Sequence, residues 1–338
     1  MTRVLVALVV FVTILPMLEI HPHTMLLVAK SGSQLFGTAT PSSDLDVKGV
    51  FLPSKESLYL QRAPQQFTQN TNPSDSGTKN QAEDVDITIW SVQFWLKLLL
   101  RGDINAVSLL FAPSHPTAVL EGSNPDFLEQ LKELKPTKIL TRNLGGMMGF
   151  AHSQAIKYSE KGKHLKAVQI ATQHMGHVTG LVGDVAETII GLIGNNKLAR
   201  TIIGGNNQKQ LLILEKAFDY TARADWAIKP LLELEERYGK RAKQAMLDGG
   251  VDYKAFSHSL RVLEEMRLLH LQGFVTYPHQ DEFAVLLREI KQGQLEYPKL
   301  LEMLDAKLEE VQQAETQSVL PEHPDLEYAN AFVLGLYS

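Results

Sequence analysis

The chain has 338 residues, enough for about two domains with ample core. Its 44% hydrophobic and 21% charged residues are ordinary for a soluble protein, and a net charge of −5 excludes a globally basic surface, so any RNA contact has to rest on local patches. With no cysteine, disulfides, cysteine nucleophiles and thiolate metal sites are excluded, which fits a reducing compartment.

After Met1-Thr2-Arg3, residues 4–18 are apolar apart from Thr13. A signal-peptide core has this length, yet no small-x-small cleavage site comes after it, and about 20 residues are needed to span a bilayer. Pro16 argues against a straight helix. Residues 1–20 are read as an apolar extension of the fold, with Met17 as a second candidate start. The alternative is a membrane-associated chain held through residues 4–18.

Met25 to Ala29 is a short apolar run that Gly32-Ser33 stops, the pattern of a buried strand entering a tight turn. Gly32 lets the backbone approach a ligand, and Ser33 offers a hydroxyl and an amide to a phosphate oxygen. Residues 43–51 then alternate, with Leu45, Val47 and Phe51 on one face and Asp44, Asp46 and Lys48 on the other. Neighbouring carboxylates repel, so Asp44 and Asp46 need a cation or water. Either the strand face is simply solvated, or these hard oxygen ligands hold Mg2+ (or Mn2+) together with the phosphates of an NTP substrate.

Residues 61–83 are polar and turn-rich and read as a long mobile loop, either a lid or a surface insertion. In Glu83-Asp-Val-Asp-Ile-Thr-Ile-Trp90, apolar and polar residues alternate again, giving a second strand with acids on its polar face. Paired beside the first strand, Asp86 completes a three-carboxylate cluster able to hold two metal ions about 3.5 to 4 Å apart, as in-line nucleotidyl transfer requires. Asp84 competes for that role. Ser91 caps a helix from Val92 to Leu100, Gly102 stops it, and an α/β domain closes near residue 115.

From Asn124 the periodicity is helical, over Phe127–Leu134, Leu144–Tyr158 and a glycine-interrupted Leu165–Gly194. The similar segments Ile189–Lys197 and Ile202–Lys209 are read as turns. Lys157, Lys161, Lys163 and Lys166 form the most basic stretch, serving either RNA or nucleotide phosphate or standing as a solvated helix end. His164, His174 and His177 have no clear carboxylate partner for a zinc site. Lys254, His258 and Arg261, spaced i, i+4, i+7, share one helical face. That face either supplies three donors to a triphosphate or forms ion pairs with Glu264 or Glu265. A short apolar end, Phe332 to Tyr337, is expected to dock back on the fold.

Gly32-Ser33, Asp44-x-Asp46 and a distal Asp on a later strand resemble the pattern of DNA polymerase beta-like nucleotidyltransferases. The wording Ser31-Gly-Ser-Gln-Leu-Phe-Gly-Thr-Ala-Thr-Pro-Ser-Ser-Asp-Leu-Asp-Val-Lys-Gly-Val-Phe51 is similar to their predicted RNA-repair-pathway branch, found in bacteria and phages. The resemblance continues through Asp86-Ile-Thr-Ile-Trp-Ser91, Gly102–Phe111, Phe150–Gly162 and Tyr253-Lys-x-x-x-His-x-x-Arg261. Where that branch commonly has Asn-Pro-Asn and then Glu, this chain has Asp103-Ile-Asn105 and Ser108, so no role is carried over to those positions.

The resemblance implies an α+β protein, with a small mixed-sheet nucleotidyltransferase domain over residues 1–115 followed by a mainly α-helical domain over 116–338. It implies a cytoplasmic enzyme moving an NMP from an NTP to an acceptor hydroxyl, with RNA as the acceptor and no stable membrane partner. Asp44, Asp46 and Asp86 would then be the catalytic metal ligands, and Gly32, Ser33, Lys254, His258 and Arg261 would hold the nucleotide. An AMP-adding, protein-modifying enzyme or toxin and a non-enzymatic NTP or RNA sensor are the rival readings.

Overall fold

A computed structural model of the chain describes residues 22–41, 43–70, 85–205, 207–236 and 251–338, with the backbone alone at 150 and 152–161. The apolar extension 1–20, Asp84 and the stretch 71–83 lie outside the described residues. The fold is α+β. A small mixed sheet is built from the N-terminal part of the chain, and helices dominate the remainder. Two compact units divide it, Met1–Ala151 with Ser257–Ser338, and His152–Phe256. This division does not coincide with the expected boundary at 115/116.

In the first unit, β1 (Thr24–Lys30), β2 (Leu45–Leu52), β3 (Gln66–Asn70) and β4 (Val85–Ser91) form one sheet in the order β1-β2-β4-β3. β2 and β4 run parallel at its centre, and β1 and β3 flank them antiparallel. One face is apolar, with Val28, Val47, Phe51, Val85, Ile87 and Ile89 buried together and Phe67 of β3 packed against them. The reading of 61–83 as loop throughout is thereby corrected at 66–70. Gln66-Phe-Thr-Gln-Asn70 alternates as an edge strand does, one face taking Phe67 to the core and the other remaining polar.

A short helix α1 (Gly32–Phe36) comes after β1 and ends at Gly37 in the left-handed conformation. Another short helix, α2 (Lys55–Tyr59), comes after β2. Ser91 ends β4 and caps α3 (Val92–Leu99), its Oγ accepting from Phe94 N. Asp103 caps α4 (Ile104–Phe111) by accepting from Asn105 N and Ala106 N at 2.9 and 3.0 Å. The indole of Trp95, fully buried, ties α3 to α4 by donating to Ala106 O.

After α5 (Pro125–Glu133) and α6 (Pro136–Ile139), the long α7 (Gly145–Gly176) leads into the second unit. That unit contains α8 (Val182–Ile193), a three-stranded antiparallel sheet of β5 (Ala199–Ile203), β6 (Lys209–Ile213) and β7 (Lys216–Asp219), and α9 (Ala224–Glu236). Its own core joins Val168, Met175, Ile189, Leu211, Phe218 and Leu231. The turn reading of 202–209 therefore holds only between β5 and β6.

The chain re-enters the first unit along α10 (Tyr253–Gln272) and completes it with α11 (Asp281–Lys291), α12 (Tyr297–Thr316) and α13 (Leu326–Gly335). This return displaces the expected domain boundary. Tyr277 packs at a tilt against Phe36 of α1 with ring centroids 5.5 Å apart, and Tyr277 N donates to Ser114 Oγ at 2.8 Å. The C-terminal end packs Phe332 near Phe127 and accepts, at the Tyr337 hydroxyl, a bond from Gln93 Nε2. Among the described residues no helix is long and apolar enough to cross a membrane.

Candidate active site

The parallel register between β2 and β4 sets the site. Asp46 lies opposite Asp86 and Lys48 opposite Thr88, so these four side chains share one sheet face, away from the apolar one. Farther along that face Val50 and Trp90 are buried, which confines the polar character to the ends where β2 and β4 begin. Asp44 stands one residue ahead of β2. Among the described residues no three His, Asp or Glu side chains are gathered as a metal cluster. The structure thus brings Asp46 and Asp86 together and leaves Asp44 at the strand's approach.

Gly32 closely approaches the Asp46 carboxylate. Its φ is +57°, and a Cβ built there would lie 2.0 Å from Asp46 Oδ2. Only glycine accommodates both that conformation and that approach. Ser31 N donates to Asp46 O at 2.8 Å, so the turn is pinned to β2 beside the acid. The next residue, Ser33, has a buried Oγ without a hydrogen-bond partner among the described residues. A buried hydroxyl left unpaired is costly and suits a position that a ligand oxygen completes. Adjacent hard carboxylates, a glycine turn and an unsatisfied hydroxyl together fit a magnesium-bound phosphate chain.

Two cations border the acids. Lys48 Nζ donates to Asn105 Oδ1 of α4 at 2.6 Å. Burial lowers its pKa, Asp46 and Asp103 act in the opposite sense, and Arg261 adds to the lowering. Arg261 lies 3.8 Å over the Phe36 ring, and its Nη1 donates to both Glu265 oxygens at 2.7 and 2.8 Å. Glu265 is 1% exposed and also accepts from the Tyr277 hydroxyl, with His279 Nε2 3.2 Å away. Burial would raise the Glu265 pKa, but Arg261 and His279 together hold it below the usual carboxylate range.

The expected row of donors is therefore not one exposed face. Arg261 is buried and paired with Glu265, while Lys254 and His258 are half-buried. Lys254 belongs to the second unit and His258 and Arg261 to the first. The i, i+4 spacing of Arg261 and Glu265 signalled their pairing; nothing local signalled that Tyr277 and His279 converge on the same carboxylate. Asn105, to which no role was carried over, holds the Lys48 ammonium.

Comparison with known proteins bears on this geometry. Residues 11–177 match the family model described as RNA repair pathway DNA polymerase beta family. An uncharacterized 38.9 kDa protein from the nrdC-mobD intergenic region of Enterobacteria phage T4 is 26% identical over 308 residues, covering 85% of this chain and 88% of the phage protein. The family suggests a nucleotidyltransferase of the RNA repair pathway. The acid-bearing strands and the glycine turn lie inside residues 11–177, and it is through this span that the chain is similar to the RNA repair pathway DNA polymerase beta family.

Proposed function

We propose that the protein transfers a nucleoside monophosphate from an NTP to the 3′ hydroxyl of an RNA, releasing pyrophosphate. The observation that carries this reading is the side-by-side register of Asp46 and Asp86, with Asp46 held against the turn at Gly32. Asp44, Asp46 and Asp86 are the residues that would hold Mg2+ or Mn2+, which when bound neutralises charge on the phosphates and polarises the reacting oxygens. Asp86 takes the proton of the acceptor hydroxyl. The hydroxyl oxygen forms a bond to the α-phosphorus as the bond from that phosphorus to the β-phosphate bridging oxygen breaks. Gly32 and Ser33 bind the β- and γ-phosphates. Use of NTP as the substrate argues for a cytoplasmic location.

The test is acceptor transfer. Each NTP, labelled at the α-phosphate, is incubated with Mg2+, the protein, and RNA ending in either a 3′ hydroxyl or a blocked 3′ end, or with cell-extract proteins. The expected result is label on the RNA with the free hydroxyl only. Label on a polypeptide would move the acceptor to a protein side chain, and NTP binding without transfer to either would leave a sensor.

A further inference from the structure

The second unit differs in charge from the rest of the chain. Residues 152–256 hold 15 Lys and Arg against 11 Asp and Glu, a formal +4, while the remainder holds 18 against 27, a formal −9. Part of this positive charge is gathered at one groove. Lys163 and Lys166, both exposed on α7, line a groove of about 190 Å³ together with Asn195, just past the end of α8. The rest of the lining is aliphatic, including Ile170, Leu192 and Ile193. Leu192 is 54% exposed, a large apolar side chain left in water. Lys197 stands in the α8–β5 connection, and Arg200, in β5, donates from Nη1 back to Asn196 O of that connection. Lys166, Lys197 and Arg200 form no ion pair with any described residue.

We propose that this groove binds a single RNA strand. A single strand presents phosphates at regular intervals and, between them, base faces that a duplex would hide in its stack. The lysine ammoniums meet the phosphates, the aliphatic lining covers a base or ribose, and the Asn195 amide offers a donor and an acceptor to a base edge. A duplex would use the cations alone and leave the aliphatic lining in water. The inference takes its polymer from the proposed function, but binding here requires neither metal nor nucleotide, so the two stand or fall separately.

The experiment measures anisotropy of a 5′-labelled oligouridylate with the full chain, without NTP or divalent metal, across a salt series. Lys163→Gln/Lys166→Gln removes two phosphate contacts and should flatten the log–log salt slope by about 1.4, so that from about 50 to about 200 mM salt the wild type loses roughly sevenfold more affinity than the variant. Leu192→Ser should weaken binding without changing the slope. Lys132→Gln/Lys299→Gln, the same charge change on exposed lysines of the other unit, should leave affinity and slope as in wild type. An unchanged slope in the groove variant, or an equal loss in the control, overturns the proposal. Retention on phosphatidylserine vesicles with no oligouridylate binding would also overturn it, in favour of a membrane surface. If Asp46→Asn abolishes transfer and RNA binding persists, the groove stands. If wild-type transfer is absent and RNA binding persists, only the enzymatic reading falls.

Discussion

Arg261→Ala should destabilise the first unit strongly. On a solvated face an Arg–Glu pair is worth less than about 1 kcal/mol. Here the Arg261 side chain is 9% exposed and that of Glu265 1%, and the guanidinium also lies over Phe36. Removing it leaves a buried carboxylate with only Tyr277 and His279 beside it, and breaking a buried pair from one side costs about 3–5 kcal/mol. At about 2–4 °C per kcal/mol for a unit of this size, the melting transition of the first unit should fall by roughly 6–20 °C. The double variant Arg261→Met/Glu265→Leu should recover much of the loss, because no charge is left unpaired.

The pair also makes stability depend on pH. The folded Glu265 pKa lies below its ordinary value, so its contribution is present above the unfolded carboxylate pKa of about 4.5 and is lost as pH falls below it through the folded value. Circular dichroism melts of wild type and the Arg261 variants between neutral and acid pH measure both effects. A loss below about 1 kcal/mol for Arg261→Ala would refute the reasoning, since only a solvated pair behaves that way.

Gly32→Ala should cost about 1–2 kcal/mol for its left-handed backbone and, by pushing the Asp46 carboxylate aside, abolish transfer; chemical denaturation and a transfer assay check the two parts. Ser33→Ala should leave the nucleotide-free protein equally stable or up to about 1 kcal/mol more stable, because it removes a buried hydroxyl with no partner, while weakening NTP binding in calorimetric titration. Asp103→Ala should cost about 0.5–2 kcal/mol through loss of the α4 cap, read from denaturant midpoints.

The legible part of the sequence was local. The apolar run before Gly32, the alternation around Asp46 and Asp86 and the Ser91 cap each carry their signal within a few residues, and the structure places β1, β2, β4 and α3 there. β3 was hidden because an edge strand needs only Phe67 for the core, and its remaining residues look like loop. The strands of the second unit are four or five residues long and separated by Gly, Asn and charged turns, so their alternation was too brief to stand out from helix and turn. The return of residues 257–338 to the first unit depends on contacts such as Phe36 with Tyr277, whose partners lie far apart in the chain and leave no periodic trace. For Arg261, spacing announced the Glu265 partner but not the burial that decides what the pair is worth.

Pyrophosphate release from NTP in the presence of Mg2+ and RNA, compared between wild type, Asp46→Asn and Asp86→Asn, tests the central claim most directly. Each substitution keeps side-chain size and strand pairing while removing one carboxylate charge from the shared face. The account predicts steady release by the wild type and none above background by either variant, with all three unfolding at comparable temperatures. Release at the wild-type rate by either variant would contradict it.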